Sequence, residues 1–300
     1  MAEDQSVDGD RWNDQANKLL LKLGWESIGD SNMDLPNEDN VKHGVDRIFK
    51  YNELRASSKQ EVVLVEAKRY KTTSFTNALL ETWIRTLDSK LVKLKMSTDL
   101  YEKFPALNGI PLRTGLILIW FHNINDYISY KESFKNSFAT IKLQRRNVSP
   151  NKIYVLENDS IVKLASLCLA IDAINKASLV RNLQFYYYSQ GGHPAKRSPI
   201  LNPNFMMSKF ILADYINKKN IENKVVFYFG KLTKQAFMRL QLALSQYAYL
   251  DKDKPLHIYT YLRDDGEFRK VMPDIIKLFP EKTIFNEMEN LIDLPTFMRV

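Results

Sequence analysis

Hydrophobic positions follow two different spacings along the chain, and each spacing predicts one kind of secondary structure. Between residues 10 and 23 the apolar side chains recur at helical spacing, and Gly24 follows as a stop signal. The run at 61–66 is instead β-branched and apolar without a break, which is typical of a buried strand. Helices that alternate with such strands predict a mixed α/β sheet covered on both faces.

The same reasoning extends along the rest of the chain. Residues 29–40 are rich in turn formers and are predicted to form a loop. Gly, Pro and Ser cluster at 189–199, which predicts a linker between a first domain at 10–188 and a second α/β domain at 200–300. Residues 1–9 are expected to be a flexible lead. The other predicted helices are 75–95, 126–146, a leucine-rich segment ending near 173, 205–216, 234–249 and 268–279. The other predicted strands are 44–51, 116–121, 152–156, 185–188, 225–229 and 256–262.

Composition excludes several classes of protein. Hydrophobic residues make up 45% of the 300 residues and aromatic residues 12%, which is enough for a core and excludes wholesale disorder. The longest strongly apolar run, 115–121, is far shorter than the roughly 20 residues that cross a bilayer. Cys168 is the only cysteine, so neither a disulfide framework nor a multi-cysteine zinc site is expected. The polar start of the sequence carries no secretion-signal pattern, and a cytoplasmic location is the expectation.

Polar residues interrupt the predicted sheet at one place. Asp46 opens one predicted strand, and Glu66 and Lys68 end the next, two positions apart and so on one face of it. Two carboxylates and the carbonyl of Ala67 are hard oxygen ligands that suit Mg²⁺ or Mn²⁺. Lys68 would then lie beside the attacking water and help to hold it as hydroxide. From spacing alone, a simpler interpretation stays open, in which Glu66 and Lys68 form a strand-end ion pair and Asp46 is a turn residue.

The Asp…Glu-x-Lys pattern resembles the active-site motif of the PD-(D/E)xK nuclease superfamily. Five segments, in order, carry a closer similarity to the Mrr-type branch of this superfamily, and the similarity covers about residues 10–175. The segments are Leu19-Leu-Leu-Lys-Leu-Gly-Trp25, Gly44-Val-Asp46, Glu66-Ala-Lys-Arg-Tyr70, Leu116-Ile-Leu-Ile119 and Ile153-Tyr-Val-Leu-Glu157.

The resemblance implies a restriction-endonuclease-like mixed sheet flanked by helices over 10–188, with a second α/β region after it. It implies that Asp46 and Glu66 bind a divalent metal, together with the Ala67 carbonyl, and that Lys68 positions the attacking water. Many members carry an acidic residue on the first helix, and Asp14 lies near the matching position, so the resemblance makes it a further candidate metal ligand. Mrr-type proteins often have Gln where Glu66 stands, so Glu66 restores the more general form of the motif and favours direct metal binding.

The implied function is that of a Mg²⁺- or Mn²⁺-dependent endodeoxyribonuclease, with a role in restriction or antiviral defence. The formal net charge of +8, from 43 Lys and Arg against 35 Asp and Glu, favours a polyanionic partner such as double-stranded DNA. Basic clusters at Lys68–Lys71, 144–146 and 196–197 are candidates for phosphate contacts, although each taken alone is also typical of an ordinary solvated surface. The candidate DNA-contacting residues are Lys42, His43, Arg69, Lys71, Arg145 and Arg146.

The chain also suggests protein partners. Cleavage of both DNA strands usually needs two active sites, so we expect a homodimer, and the 200–300 region could dock a second protein subunit. Two alternatives to the enzyme stay open. One is a nuclease-fold protein that binds nucleic acid without cutting it, and the other is a structural subunit of a larger defence complex.

Overall fold

The computed structural model describes residues 5–36, 42–52, 60–122, 124–141, 151–178, 183–188, 194–262 and 264–299. The chain divides into two compact units. The first unit comprises Met1–Val162 together with Ile292–Val300, and the second comprises Lys163–Leu291. None of the helices in the described part of the chain is both long and apolar enough to cross a membrane.

The first unit contains five helices, counting one that continues into the second unit, and seven strands among its described residues. In chain order these are α1 (Gln5–Lys22), β1 (Glu26–Ile28), β2 (Met33–Pro36), β3 (Lys42–Val45), β4 (Arg47–Asn52), β5 (Gln60–Tyr70), α2 (Asn77–Leu94), α3 (Thr98–Lys103), β6 (Leu112–Phe121), α4 (Ile124–Thr140), β7 (Lys152–Leu156) and α5 (Asn158–Ser178), the helix that continues into the second unit.

Five of these strands form one mixed sheet in the order β1-β4-β5-β6-β7. Strands β1, β4 and β5 pair antiparallel, while β5, β6 and β7 pair parallel, so the carboxyl ends of the last three strands share one edge. Strands β2 and β3 form a separate antiparallel pair. The mixed sheet with helices packed on it is consistent with the PD-(D/E)xK nuclease fold that the resemblance implies.

One face of β5 packs against α2. Val62 and Leu64 belong to one apolar cluster with Leu80, Ile84 and Leu87 of α2. Because side chains alternate along a strand, Glu66 and Lys68 continue the same face as Val62 and Leu64. The sheet therefore brings the polar end of β5 to the face that α2 covers.

The predicted first helix and the predicted strand at 44–51 both differ from the observed elements. Helix α1 starts at Gln5, so residues 5–9 are helical rather than part of a flexible lead. The predicted strand is two strands, β3 and β4, with Asp46 between them, because β3 pairs with β2 while β4 pairs with β5. The predicted loop at 29–40 accordingly contains a strand, β2.

The second unit contains a sheet of six strands in the order β13-β12-β11-β10-β8-β9. Strands β8, β9, β10 and β11 pair antiparallel with their neighbours, while β11, β12 and β13 pair parallel. Its elements after α5 are β8 (Gln184–Tyr187), β9 (Lys196–Ser198), α6 (Pro203–Met206), β10 (Phe210–Ile216), β11 (Glu222–Tyr228), α7 (Lys234–Gln246), β12 (Leu256–Thr260), α8 (Asp265–Ile276) and β13 (Thr283–Glu287).

One predicted helix in this unit is wrong. The segment 205–216 contains only the end of the short helix α6 and then strand β10. Residues Ile211–Tyr215 are all buried, so side chains on both faces of β10 are covered and the segment lacks the alternation that marks a half-buried strand. The predicted linker at 189–199 contains strand β9. The predicted domain boundary there falls inside the second unit, since β8 pairs with β10 across it.

Candidate active site

The side chains of Asp46, Glu66 and Lys68 meet at the carboxyl end of β5. Lys68 Nζ lies 2.8 Å from Glu66 Oε2 and 3.6 Å from Asp46 Oδ2, so one ammonium group faces both carboxylates. The Glu66–Lys68 ion pair of the simpler interpretation is present. Asp46, however, does more than form a turn, because its carboxylate points at the same ammonium.

Asp46 is fixed by its backbone as well as by its side chain. The Ala67 amide donates a hydrogen bond of 2.7 Å to Asp46 Oδ2, which ties the residue to β5. The Asn32 amide donates to the Asp46 carbonyl at 3.0 Å. Asn32 adopts a φ of 53°, a left-handed conformation that asparagine tolerates better than most residues. Its side-chain amide bonds to Asp10 and Asn13, so α1 supports the loop that carries Asp46.

Glu66 is buried, and its two carboxylate oxygens bond to two different lysines. Oε2 accepts from Lys68, and Oε1 accepts from Lys90 Nζ at 2.6 Å. Lys90 comes from α2 and also donates to the carbonyl of Gly44. A buried carboxylate is costly unless it is paired, and these two ammonium groups supply the pairing.

The electrostatics of the site shift two pKa values. Burial raises the pKa of Asp46, and the negative charge of Glu66 raises it further, against the opposing effects of Lys68 and the Ala67 amide. Burial by itself would lower the pKa of Lys68, but the two carboxylates outweigh it and the net shift is upward. Lys68 is therefore an ammonium at neutral pH, and because burial makes the ionised form of Asp46 costly, that form would gain from a further nearby cation.

The donor set fits a hard divalent cation. Two carboxylates already share one cationic group between them, and their oxygens are the ligand atoms that Mg²⁺ and Mn²⁺ prefer. Ala67 directly follows Glu66 in sequence, and its amide is bound to Asp46. Within the part of the chain that the structure describes, no group of three or more His, Cys, Asp or Glu side chains forms a metal cluster, so the candidate site depends on this pair of acids.

The other predicted metal ligand, Asp14, is engaged elsewhere. Its carboxylate pairs with Arg47 at 2.7 Å, and 53% of its side chain is exposed. Arg47 follows Asp46 directly, so Asp14 lies on the α1 side of the same loop without contacting Lys68 in the structure. The role of Asp14 as a metal ligand stays a prediction.

The predicted DNA-contacting residues are only partly described. Lys42 and Lys71 are exposed, and Arg69 is half-buried near the end of β5. The side chain of His43 and all of Arg145 and Arg146 lie outside the described residues. In the second unit, Arg197 pairs with Asp214 at 2.7 Å and Glu222 at 3.0 Å, so two carboxylates already balance its charge and make it a poorer candidate for a phosphate contact.

The sequence alone did not indicate Lys90 or Asn32. In the sequence, Lys90 lies near the end of a predicted helix, where a lysine is ordinarily explained by its favourable interaction with the helix dipole. It reaches Glu66 only because α2 packs over the face of β5 that carries this residue. Asn32 lies in the segment predicted as a loop. An asparagine in such a segment is compatible with a left-handed φ, but the sequence does not show which residue it contacts.

Comparison with known proteins identifies the family of the chain. Residues 1–160 match the family described as "GAPS4 protein PD-(D/E)XK nuclease domain", which covers more than half of the 300 residues. The chain belongs to this family. The membership confirms the PD-(D/E)XK superfamily, while the closer similarity to the Mrr-type branch stays a prediction.

Two further comparisons add little to this assignment. No curated protein matches the sequence of this PD-(D/E)XK family member. One solved structure, "Crystal structure of Aa-Ago with externally-bound siRNA", aligns with 12% identity and a TM-score of 0.20 over 87% of this chain. The alignment covers 40% of that other chain, so this protein spans less than half of its length.

Proposed function

We propose that the protein is a metal-dependent endonuclease that hydrolyses phosphodiester bonds of double-stranded DNA, in restriction or antiviral defence. One observation carries the proposal: Lys68 Nζ faces the carboxylates of both Asp46 and Glu66, at 3.6 and 2.8 Å. A strand-end ion pair needs only one acid. Membership of a PD-(D/E)XK nuclease family supports the same conclusion from the sequence.

Each member of the trio has a role that follows from its chemistry. Asp46 and Glu66 would hold the divalent cation, with the carbonyl of Ala67 as a further oxygen ligand. When bound, Mg²⁺ or Mn²⁺ acidifies water and neutralises charge on the scissile phosphate. Lys68 is held protonated by its two acidic neighbours, so it orients the attacking water by donating hydrogen bonds and supplies positive charge beside the phosphate.

The reaction is the hydrolysis of a phosphodiester. The water oxygen forms a new bond to phosphorus while the bond from phosphorus to the leaving ester oxygen breaks. One proton of the water passes to solvent, and the leaving oxygen gains one from solvent. The buried surroundings of Glu66 exclude competing water from the carboxylate that binds the ion.

Plasmid cleavage tests the proposal directly. Wild type should nick or linearise supercoiled DNA in Mg²⁺ or Mn²⁺, and EDTA should abolish the activity. Asp46→Asn and Lys68→Met should each lower the rate by about a thousandfold, on the scale of removing a group that stabilises transition-state charge. Asp30→Asn, at an exposed acid of the first unit, is the matched control and should cleave like wild type.

Two results would contradict the proposal. Wild-type activity in both site variants would show that cleavage, if seen, comes from a contaminant or another site. DNA binding without any cleavage in either metal would favour the alternative of a catalytically silent nuclease fold. Cleavage of duplex RNA of the same sequence in preference to DNA would correct the substrate while leaving the site in place.

The partners are part of the proposal. Lys42 begins β3, Arg69 lies near the end of β5, and Lys71 follows that strand directly. These three residues are candidates for contacts to the DNA backbone, which predicts that affinity falls steeply with salt. A homodimer would supply two active sites for the two strands.

The 200–300 region is proposed to dock a second protein subunit, and co-purification of another chain is the test.

A further inference from the structure

Each carboxylate oxygen of Glu66 is paired with a lysine in the structure. Lys68 Nζ occupies Oε2 at 2.8 Å, and Lys90 Nζ occupies Oε1 at 2.6 Å. The first of these lysines belongs to the nuclease motif. The second comes from a different element, α2, and no part of the motif accounts for it.

The side chain of Lys90 is largely buried at this position. Only 13% of its side chain is exposed, and its ammonium group has a second acceptor in the carbonyl of Gly44. Gly44 is two residues before Asp46, so Lys90 bridges the two segments that carry the acids. A partly buried ion pair with a second hydrogen bond is screened far less than a surface pair.

The charges at the site cancel. Asp46 and Glu66 contribute two negative charges, and Lys68 and Lys90 contribute two positive charges within direct contact distance of Glu66. A divalent cation that approaches Glu66 therefore meets two resident ammonium groups, and their positive charges oppose its binding. Lys68 also faces Asp46, whereas the salt bridge of Lys90 is made with Glu66.

We propose that Lys90 is a second active-site lysine, which competes with the divalent ion for Glu66 and so holds the site closed to metal until the ion displaces it. The inference rests on the proposed function, since it takes Glu66 as a metal ligand. Its physical content is a competition between two cations for one carboxylate oxygen. Removing the resident cation should therefore strengthen metal binding, which is the opposite of what a purely structural role predicts.

Calorimetric titration of the purified full chain with Mn²⁺, without DNA, tests the inference. Lys90→Met should bind Mn²⁺ about tenfold more tightly than wild type, because one nearby positive charge is removed from a poorly screened site. Lys90→Gln keeps a hydrogen-bond donor for Gly44 and Glu66 but lacks the charge, and it should show the same increase. It also keeps the test valid if the methionine variant folds poorly.

Lys93→Met is the matched control. Lys93 is an exposed lysine of the same helix, so its loss changes the net charge equally without touching Glu66, and Mn²⁺ affinity should stay at the wild-type value. Unchanged or weaker Mn²⁺ binding in a folded Lys90→Gln protein would overturn the inference, because it would mean that Lys90 anchors Glu66 rather than opposing the ion. No Mn²⁺ binding by wild type and variants alike would overturn it as well.

The plasmid assay separates the failure of this inference from the failure of the proposed function. If wild type cleaves DNA but Lys90 variants bind Mn²⁺ no more tightly, the inference fails while the nuclease assignment stands. If Lys90 variants bind Mn²⁺ more tightly but wild type cleaves nothing, the competition stands and the proposed activity fails.

Discussion

The amide of Ala67 donates a 2.7 Å hydrogen bond to the carboxylate of Asp46. The bond joins the middle of the Glu-Ala-Lys segment to an acid 21 residues earlier, so the orientation of Asp46 does not depend on its charge. An asparagine at the same position keeps an acceptor oxygen for this amide. The substitution Asp46→Asn therefore removes the charge and leaves the local backbone geometry.

We expect Asp46→Asn to raise the free energy of unfolding near pH 7 in the presence of EDTA. Burial and the charge of Glu66 raise the pKa of Asp46, so its ionised form is disfavoured in the folded protein. A raised pKa contributes stability that is present below the unfolded value of about 4 and is lost as pH rises through the folded-state pKa. The advantage of Asp46→Asn over wild type should therefore grow as pH rises.

Urea unfolding between about pH 3 and pH 7 measures this difference. Asp30→Asn, at an exposed acid of the first unit, serves as the control. A variant that is less stable than wild type at neutral pH would show that the ion pair with Lys68 outweighs burial.

Substitutions at the two partners of the Asp14–Arg47 ion pair distinguish a structural role of Asp14 from a metal-binding role. With 53% of the Asp14 side chain exposed, we expect Asp14→Asn and Arg47→Gln each to cost less than about 1 kcal/mol of stability and to be non-additive in the double variant. The affinity for Mn²⁺ should not change in Asp14→Asn. A loss of several-fold in that affinity, absent in Arg47→Gln, would instead support Asp14 as a metal ligand.

Substitution of Asn158 should lower the stability of the protein more than most substitutions in the first unit. Its side chain is fully buried, accepts from the Phe121 amide at 2.8 Å and donates to the Phe121 carbonyl at 3.0 Å. Asn158→Ala leaves both backbone groups unpaired at the end of β6, which we expect to cost about 3 kcal/mol. Thermal or urea unfolding measures the change, with exposed Asn108→Ala as the control. A cost below about 1 kcal/mol would mean that water replaces the side chain.

Gly115 is required by the packing of α2 on β6. A Cβ at this position would lie 2.7 Å from Leu87 Cδ2, well inside contact distance. We expect Gly115→Ala to destabilise the protein by about 2 kcal/mol, as overpacking does, and Leu87→Ala to relieve part of this cost in the double variant. Gly44→Ala is the control, since the nearest atom to its Cβ would be 3.8 Å away. Strict additivity of the two substitutions would contradict the predicted clash.

The parts of the fold that local pattern controls could be predicted from the sequence. The apolar stripe of α1 has a clear helical period, the runs that became β5 and β6 are apolar without a break, and the apolar residues of this stripe and of the two runs are buried in the first unit. The convergence of Glu66 and Lys68 follows from alternation along one strand. The meeting of these residues with Asp46 needed the family resemblance, because residues on different elements are joined only by the folded sheet.

The parts that depend on tertiary packing could not be predicted. The break at Asp46 arises because β3 and β4 have different partners, which no local pattern records. Strand β10 is buried on both faces and so lost the alternation that would have identified it. Lys90 has the sequence context of an ordinary lysine near a helix end, and only the packing of α2 brings it to Glu66.

The most direct test of the account is where a divalent ion binds. Crystals of the full chain soaked in Mn²⁺ and measured for anomalous scattering should show one strong peak in contact with carboxylate oxygens of Asp46 and Glu66, with Lys90 moved away from Oε1. The peak should disappear in Asp46→Asn crystals. A peak held by other residues, or no peak in crystals of a protein that cleaves DNA, would contradict the assignment of these two acids as the metal site.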